Sequence, residues 1–349
     1  MASASRSSSA SLAGTGMPPA WAGPWFWLAV AALAVAGFFV GSSYVLHILI
    51  LCFLWAMVAA SWDLVVGYAG IMNYGQLVFF AFGAYTSGFL AAKLGVTPLV
   101  SMAIGAAATG LIGVLMGLPC LRLRGEYVAL FTFAVHLAMP PVIQQGRDLG
   151  LGGNTGLLGI PPVNLFGYVI GPLDKLGWYY LALAVAAVSV YLIYFVLLRS
   201  RLGHAFVALR DSEGFARALG IDDFKYKLLA FTISAAFAGL AGALYAHYTT
   251  VVTPKILGNE FFLMAMVMLA VGGMGRFPGV LIGAFIVIIG NELLRSFDNY
   301  RLIVLGVVVV ATVLLLPNGL VSLAGRLGWR EAGGNAPRTR PGTKTNAAG

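Results

Sequence analysis

Along these 349 residues, apolar runs of roughly 17–25 residues recur, each long enough to cross a hydrocarbon core about 30 Å thick as an α-helix. Backbone polar groups have no water to bond in lipid, so a run of this kind must satisfy them internally, as a helix does. A soluble helical core is excluded by charge. Only 9% of the residues are charged and 60% are apolar, where soluble domains carry about 25% charged residues. Lipid must therefore solvate much of the surface.

The pattern predicts an all-α, polytopic transmembrane bundle of about ten spans. They fall near residues 25–41, 43–62, 76–92, 97–119, 126–143, 177–198, 228–249, 259–275, 279–296 and 301–317, each pair separated by Gly, Pro or charge. Three domains follow: a disordered Ser/Ala-rich tail over 1–24, a transmembrane domain over 25–317 and a solvated tail over 318–349. The first apolar run is long and lacks a small-residue cleavage site, so a cleaved signal peptide is not expected.

The net charge of +9 is not spread as a nucleic-acid surface. With the N-terminus inside, 15 of the 21 Lys and Arg residues lie in inner segments, including Arg122, Arg124 and six from Arg199 to Lys227. This bias orients both termini to the cytoplasm and requires an even number of spans. Asp63, Glu126 and Glu292 fall near span ends, and no buried Arg, Lys, Asp or Glu is evident.

Cys52 and Cys120 lie inside apolar runs and read as packing residues. His47, His136, His204 and His247 are scattered. No metal site and no cofactor is expected. No nucleophile–base pair or carboxylate pair stands at useful spacing, which argues against an enzyme.

Glycine is abundant, at 45 residues. Small residues recur four apart at Gly113 and Gly117, Ala235 and Gly239, Ala238 and Gly242, and Gly279 and Gly283. Such spacing lets helix backbones approach closely where lipid gives helices no hydrophobic reason to associate. A weak internal repeat relates Leu64–Gly70 to Leu269–Gly275, with leucine, valine and two glycines aligned.

Two segments stand out. Residues 67–76 break the helical pattern with three glycines, Asn73 and Gln76 among apolar residues. Non-helical backbone at membrane depth survives only inside protein or beside a water-filled cavity. A re-entrant substrate path is expected there, with Tyr68, Asn73, Tyr74 and Gln76 as its lining; a plain cytoplasmic turn is the alternative. The second segment is the charged loop 199–227. Leu202, Phe206 and Leu209 share one helical face. A second short helix is expected with Asp211 as N-cap, Glu213 in its first turn and Gly220 as its stop. Its face of Phe215, Ala218 and Leu219 wants a partner groove.

Three blocks resemble the LivM-type permease family of bacterial branched-chain amino acid ABC importers. The first runs from Gly67-Tyr-Ala-Gly to Phe82-Gly-Ala-Tyr-Thr86. The second is Leu121-Arg-Leu-Arg-Gly-Glu-Tyr127, followed by Gly152-Gly-Asn-Thr-Gly156 and Gly159-Ile-Pro161. The third runs from Ser200-Arg-Leu-Gly through Ala218-Leu-Gly220 to Lys225–Phe231 and Ala238–Tyr245. Together they run through about residues 45–317.

The resemblance implies a permease subunit that moves branched-chain amino acids across a bacterial inner membrane. It implies that the loop contacts the ATPase through Arg210, Asp211, Glu213, Phe215, Ala216, Ala218 and Gly220. Phe215 stands where such loops often carry Ala, and Asn73, Tyr74 and Gln76 stand where the first block usually carries Ser and His. No G-x-x-x-x-G-K-[ST] loop is present, so nucleotide must be held elsewhere. The implied partners are a second permease subunit, a paralogue by the family's habit, two ATP-binding subunits and a periplasmic substrate-binding protein docking on the outer loop Gln144–Leu176. Permeases for urea, short-chain amides or other amino acids have similar sequences, and an ion-coupled secondary transporter is the competing class.

Overall fold

The computed structural model describes residues 17–19, 22–123, 125–165, 167–297, 304, 306 and 307. Seven helices within it are long and apolar enough to cross a membrane. They are α1 (Ala22–Phe39), α2 (Ser43–Tyr68), α3 (Gln76–Leu94), α4 (Pro98–Cys120), α5 (Tyr127–Gln145), α6 (Lys175–Leu197) and α9 (Asp223–Thr249). Two short helices, α7 (Arg201–Asp211) and α8 (Glu213–Ala218), fill the loop between α6 and α9. Two apolar helices shorter than a full span follow, α10 (Asn259–Gly272) and α11 (Gly279–Leu293). Of the expected span 301–317, only residues 304, 306 and 307 are described, and they are helical. The N-terminal residues 1–16 and the tail 318–349 lie outside the described residues.

Helix boundaries follow local chemistry. Pro98 opens α4, where its missing N–H is not needed. Asp174, Ser200 and Asp222 cap α6, α7 and α9 by accepting from the backbone N–H of Gly177, Leu202 and Lys225. Accepting that N–H and pairing with the Lys225 ammonium hold the Asp222 carboxyl below the usual carboxylate range. The short strands β1 (Leu157–Leu158) and β4 (Val251–Val252) pair antiparallel, and β2 (Val163–Leu165) forms a hairpin with β3 (Tyr168–Ile170). This small β layer ties the α5–α6 connection to the segment after α9.

The core is built on α9, which packs against α3 and α4. Gly83 meets the backbone of Gly239, and a methyl added to Gly242 would overlap the Phe80 carbonyl oxygen. A Cβ on Gly113 would stand 2.6 Å from that of Ala235. The small-residue spacing in the sequence thus marks true helix crossings. Gly83 on α3 is the partner that spacing alone did not pair with it.

Candidate functional site

Helix α2 does not stop at Trp62. It continues through Asp63 and widens into a π-helical turn over Leu64–Tyr68. The chain then runs without regular structure to Gln76. Several of the breaks in this stretch are answered by a named group. Ile71 N–H donates to the Val65 carbonyl at 2.9 Å. Tyr74 N–H donates to Thr132 Oγ1 at 2.9 Å, and Gly75 N–H to Asn73 Oδ1 at 2.9 Å. The Trp62 indole donates to the Asn73 carbonyl at 2.6 Å. Ile71, Asn73 and Gly75 of this irregular backbone are buried in protein, while Gly70 and Met72 are exposed.

Asn73 and Gln76 are both fully buried. Asn73 Nδ2 donates to Gln76 Oε1 at 3.0 Å. Gln76 Nε2 donates to Ser61 Oγ and to Ser234 Oγ, each at 3.0 Å. Ser234 Oγ in turn reaches the Ser61 carbonyl at 2.5 Å. Three elements, α2, α3 and α9, are thereby pinned together by neutral bonds. In this conformation the two amides face protein partners, not an open cavity. Tyr68 is also buried, with its ring 6.0 Å from that of Tyr194. Tyr74 is half-buried. It joins an aromatic layer in which Phe262 lies 6.2 Å from Tyr74, 5.5 Å from Phe133 and 5.1 Å from His136.

Asp63 corrects the expectation that no acid is buried. It is wholly inside the protein. Its Oδ1 accepts the Gly275 N–H at 2.7 Å, and its Oδ2 accepts the Tyr194 hydroxyl at 2.9 Å. Those two donors supply what water would, so the helix could extend past a charge that looked like its end. The glycine stretches ending at Gly70 and Gly275, similar in sequence, meet here in space. A Cβ on Gly275 would come 2.6 Å from the Gly67 carbonyl oxygen.

The two short helices of the charged loop 199–227 sit against this same end of the bundle. Phe206 and Leu209 of α7 are buried, and Leu202 is partly so. Arg210 turns inward: its Nη1 donates to the Gly67 carbonyl at 2.9 Å, and its side chain packs over Gly70. Its other edge pairs with Asp211 at 2.9 Å. Asp211 is the last residue of α7, not the cap of the next helix. Ser212 takes that place and accepts from Phe215 N–H at 3.4 Å. The chain needs a residue with extended backbone between two helices, and Ser212 at φ −161° provides it.

Helix α8 ends as its glycine requires. Gly220 has φ +83°, which an L side chain rarely adopts. Ile221 N–H returns to the Ala216 carbonyl at 3.0 Å and Gly220 N–H to that of Arg217 at 2.9 Å, a Schellman closure. Glu213 pairs with Arg217 and Lys227, and Arg217 with Asp223 at 2.8 Å, tying α8 to the start of α9. Ala216 is buried, while Phe215, Ala218 and Leu219 are exposed. Phe215 and Leu219, one turn apart, are 66% and 65% exposed on an otherwise charged loop.

Sequence reasoning missed Ser61, Thr132, Tyr194 and Ser234. Each is a single small or polar residue in an apolar run, which marks it as unusual without naming its partner. Among the described residues no group of three His, Cys, Asp or Glu could hold a metal ion.

Comparison with known proteins points one way. The family described as branched-chain amino acid transport system / permease component matches residues 44–313. The chain is similar to the high-affinity branched-chain amino acid transport system permease protein LivM of Escherichia coli (strain K12). The two are 32% identical over 321 residues, covering 85% of this chain and 75% of the relative. The LivM protein of Salmonella typhimurium matches to the same extent. The permease protein LivH of Escherichia coli (strain K12) is 24% identical over 288 residues, covering 76% of this chain and 91% of the relative. No solved structure matches.

Proposed function

Because this chain belongs to the branched-chain amino acid transport system permease family, we propose that it forms one half of the membrane channel of an ATP-driven importer for branched-chain amino acids. The family match over most of the chain carries this reading. The second half is a paralogous permease, and two ATP-binding subunits and a periplasmic binding protein complete the assembly. In the bacterial inner membrane, α10, α11 and residues 301–317 bring the count to ten spans with both termini in the cytoplasm.

The ATPase docks on α8. The exposed Phe215–Leu219 pair supports this, since two large apolar side chains held on a rigid, ion-paired helix have no partner within the described residues. Arg210, Asp211, Glu213, Ala216, Ala218 and Gly220 hold that helix in place. Cargo passes beside residues 67–76. Tyr74 borders the path in the present conformation, Tyr68 backs it, and Asn73 and Gln76 join the wall when their mutual bond opens during transport.

The direct test is uptake by proteoliposomes holding the full complex. ATP-dependent accumulation of leucine, isoleucine and valine is expected. Accumulation of urea or short amides in their place would transfer the chain to that substrate class. The docking face makes a separate prediction. Phe215→Ser should weaken ATPase co-purification about tenfold, the scale of one interface anchor, with the permease still folded. Unchanged co-purification would remove α8 from the interface.

A further inference from the structure

A second feature of the bundle lies outward of the segment just described. Between α3 and α5 there is a half-open cavity of about 390 Å³, within the size range of small-molecule pockets. Phe82, Phe89, Met139, Ile143 and Leu257 form its apolar walls. Tyr85 lines it too, and its hydroxyl is buried with no hydrogen-bond partner among the described residues. The residue is 5% exposed. A hydroxyl left unpaired in apolar surroundings carries a desolvation cost, which a polar group on an occupant would relieve.

The placement relates this cavity to the candidate path. Val78, Phe82, Tyr85 and Phe89 fall on one face of α3, the helix that begins where the unwound segment ends. Met139 stands one turn outward of His136 on α5. The aromatic layer of Tyr74, Phe133, His136 and Phe262 lies one turn of α5 away from the cavity wall at Met139. The space has apolar walls and one free hydroxyl.

We propose that this cavity is a transient station for cargo, holding the aliphatic side chain of an amino acid while Tyr85 bonds one of its polar backbone groups. The proposal rests on the importer reading above. A fully hydrocarbon occupant, such as a lipid chain, would leave the Tyr85 hydroxyl unpaired. One hydroxyl and apolar walls give weak retention, which suits a station that cargo must leave.

Thiol protection tests it in the assembled importer, in lipid nanodiscs without the binding protein. Thr86→Cys, on the cavity wall, is labelled with methyl methanethiosulfonate. The native Cys52 and Cys120 are buried, and the parent complex supplies the background. Leucine at a concentration filling about four-fifths of the sites should slow labelling about fivefold, and glycine should not. Adding Tyr85→Phe should raise the protecting concentration roughly two- to tenfold, the loss of one neutral hydrogen bond. Val142→Cys on the opposite wall repeats the measurement should the first variant fail to assemble.

Equal labelling with and without leucine overturns the station, as does equal protection by glycine. A labelling rate set only by lipid chain composition assigns the cavity to lipid and also overturns it. Uptake by the parent complex separates the two readings. Leucine uptake without protection rejects the station alone, and absence of any branched-chain uptake rejects the importer reading beneath it.

Discussion

Replacing Arg210 with alanine should leave the complex able to hydrolyse ATP but cut amino-acid uptake by about ten- to a hundredfold, the scale of one charged hydrogen bond at about 1.5–3 kcal/mol. Arg210 is the side chain that joins α7 to the irregular segment. Its guanidinium donates to the Gly67 carbonyl, and Gly67 is held between Asp63 and Gly275. We propose that a shift of the charged loop would reach the end of α2 through this side chain, with Phe206 and Leu209 of α7 buried beneath it. Arg210→Lys keeps the charge but loses the planar fork, so partial uptake should return. Asp211→Asn is the control. It removes the exposed ion pair, worth about 1 kcal/mol at most, and leaves the Gly67 bond in place, so uptake should stay near that of the parent. ATP hydrolysis and uptake measured on the same proteoliposomes decide the matter. If Arg210→Ala lowers both in proportion, the residue supports the fold or ATPase docking, and the joint is not where we place it.

The second large effect concerns packing. Gly242→Val should destabilise the permease by about 3 kcal/mol or more. The added carbon atoms would fall on the Phe80 carbonyl oxygen, with the Ala84 amide nitrogen 3.1 Å away. Neither obstacle is a flexible side chain. Both are backbone of α3, which cannot retreat because Gly83 is pressed against Gly239 one turn further along the same crossing. Lipid tails are as apolar as the helices, so close van der Waals contact holds α3 on α9, and separating them forfeits it. Gly290→Ala is the matched control. Nothing lies within 4 Å of a Cβ at that position in α11. Removing glycine there should leave stability unchanged or raise it by up to about 1 kcal/mol, the helix-propensity difference. Thermal aggregation midpoints in detergent would rank the variants. A Gly242→Val protein as stable as the parent would mean that α9 is free to move away from α3.

Much of this was legible in the chain itself. Apolar run lengths located the seven helices long enough to cross a membrane, because hydrocarbon thickness fixes the length of a spanning helix regardless of its neighbours, and they marked the shorter α10 and α11 as well. Small residues four apart marked Gly113, Ala235, Gly239 and Gly242 as crossing points, because only their lack of bulk permits close approach. Gly220 announced the end of α8, because its conformation is nearly closed to other residues. The ordered blocks from Gly67 to Tyr245 identified the family, since such an order is specific where any one block is not.

Tertiary structure decided what each lone polar residue is for. Asp63 read as the end of a span, because a charge in an apolar run has no visible partner in one dimension. Its partners, Tyr194 and Gly275, lie 131 and 212 residues away. Asn73 and Gln76 read as free donors and acceptors for cargo. The fold closes them onto Ser61 and Ser234, because α2, α3 and α9 converge there. Arg210 read as part of the ATPase contact, and the fold also turns its guanidinium into the bundle, onto the Gly67 carbonyl. Local sequence sets where helices run and stop through length, bulk and capping. A hydrogen bond between distant segments depends on which helix faces meet, and that is fixed only when the whole bundle packs.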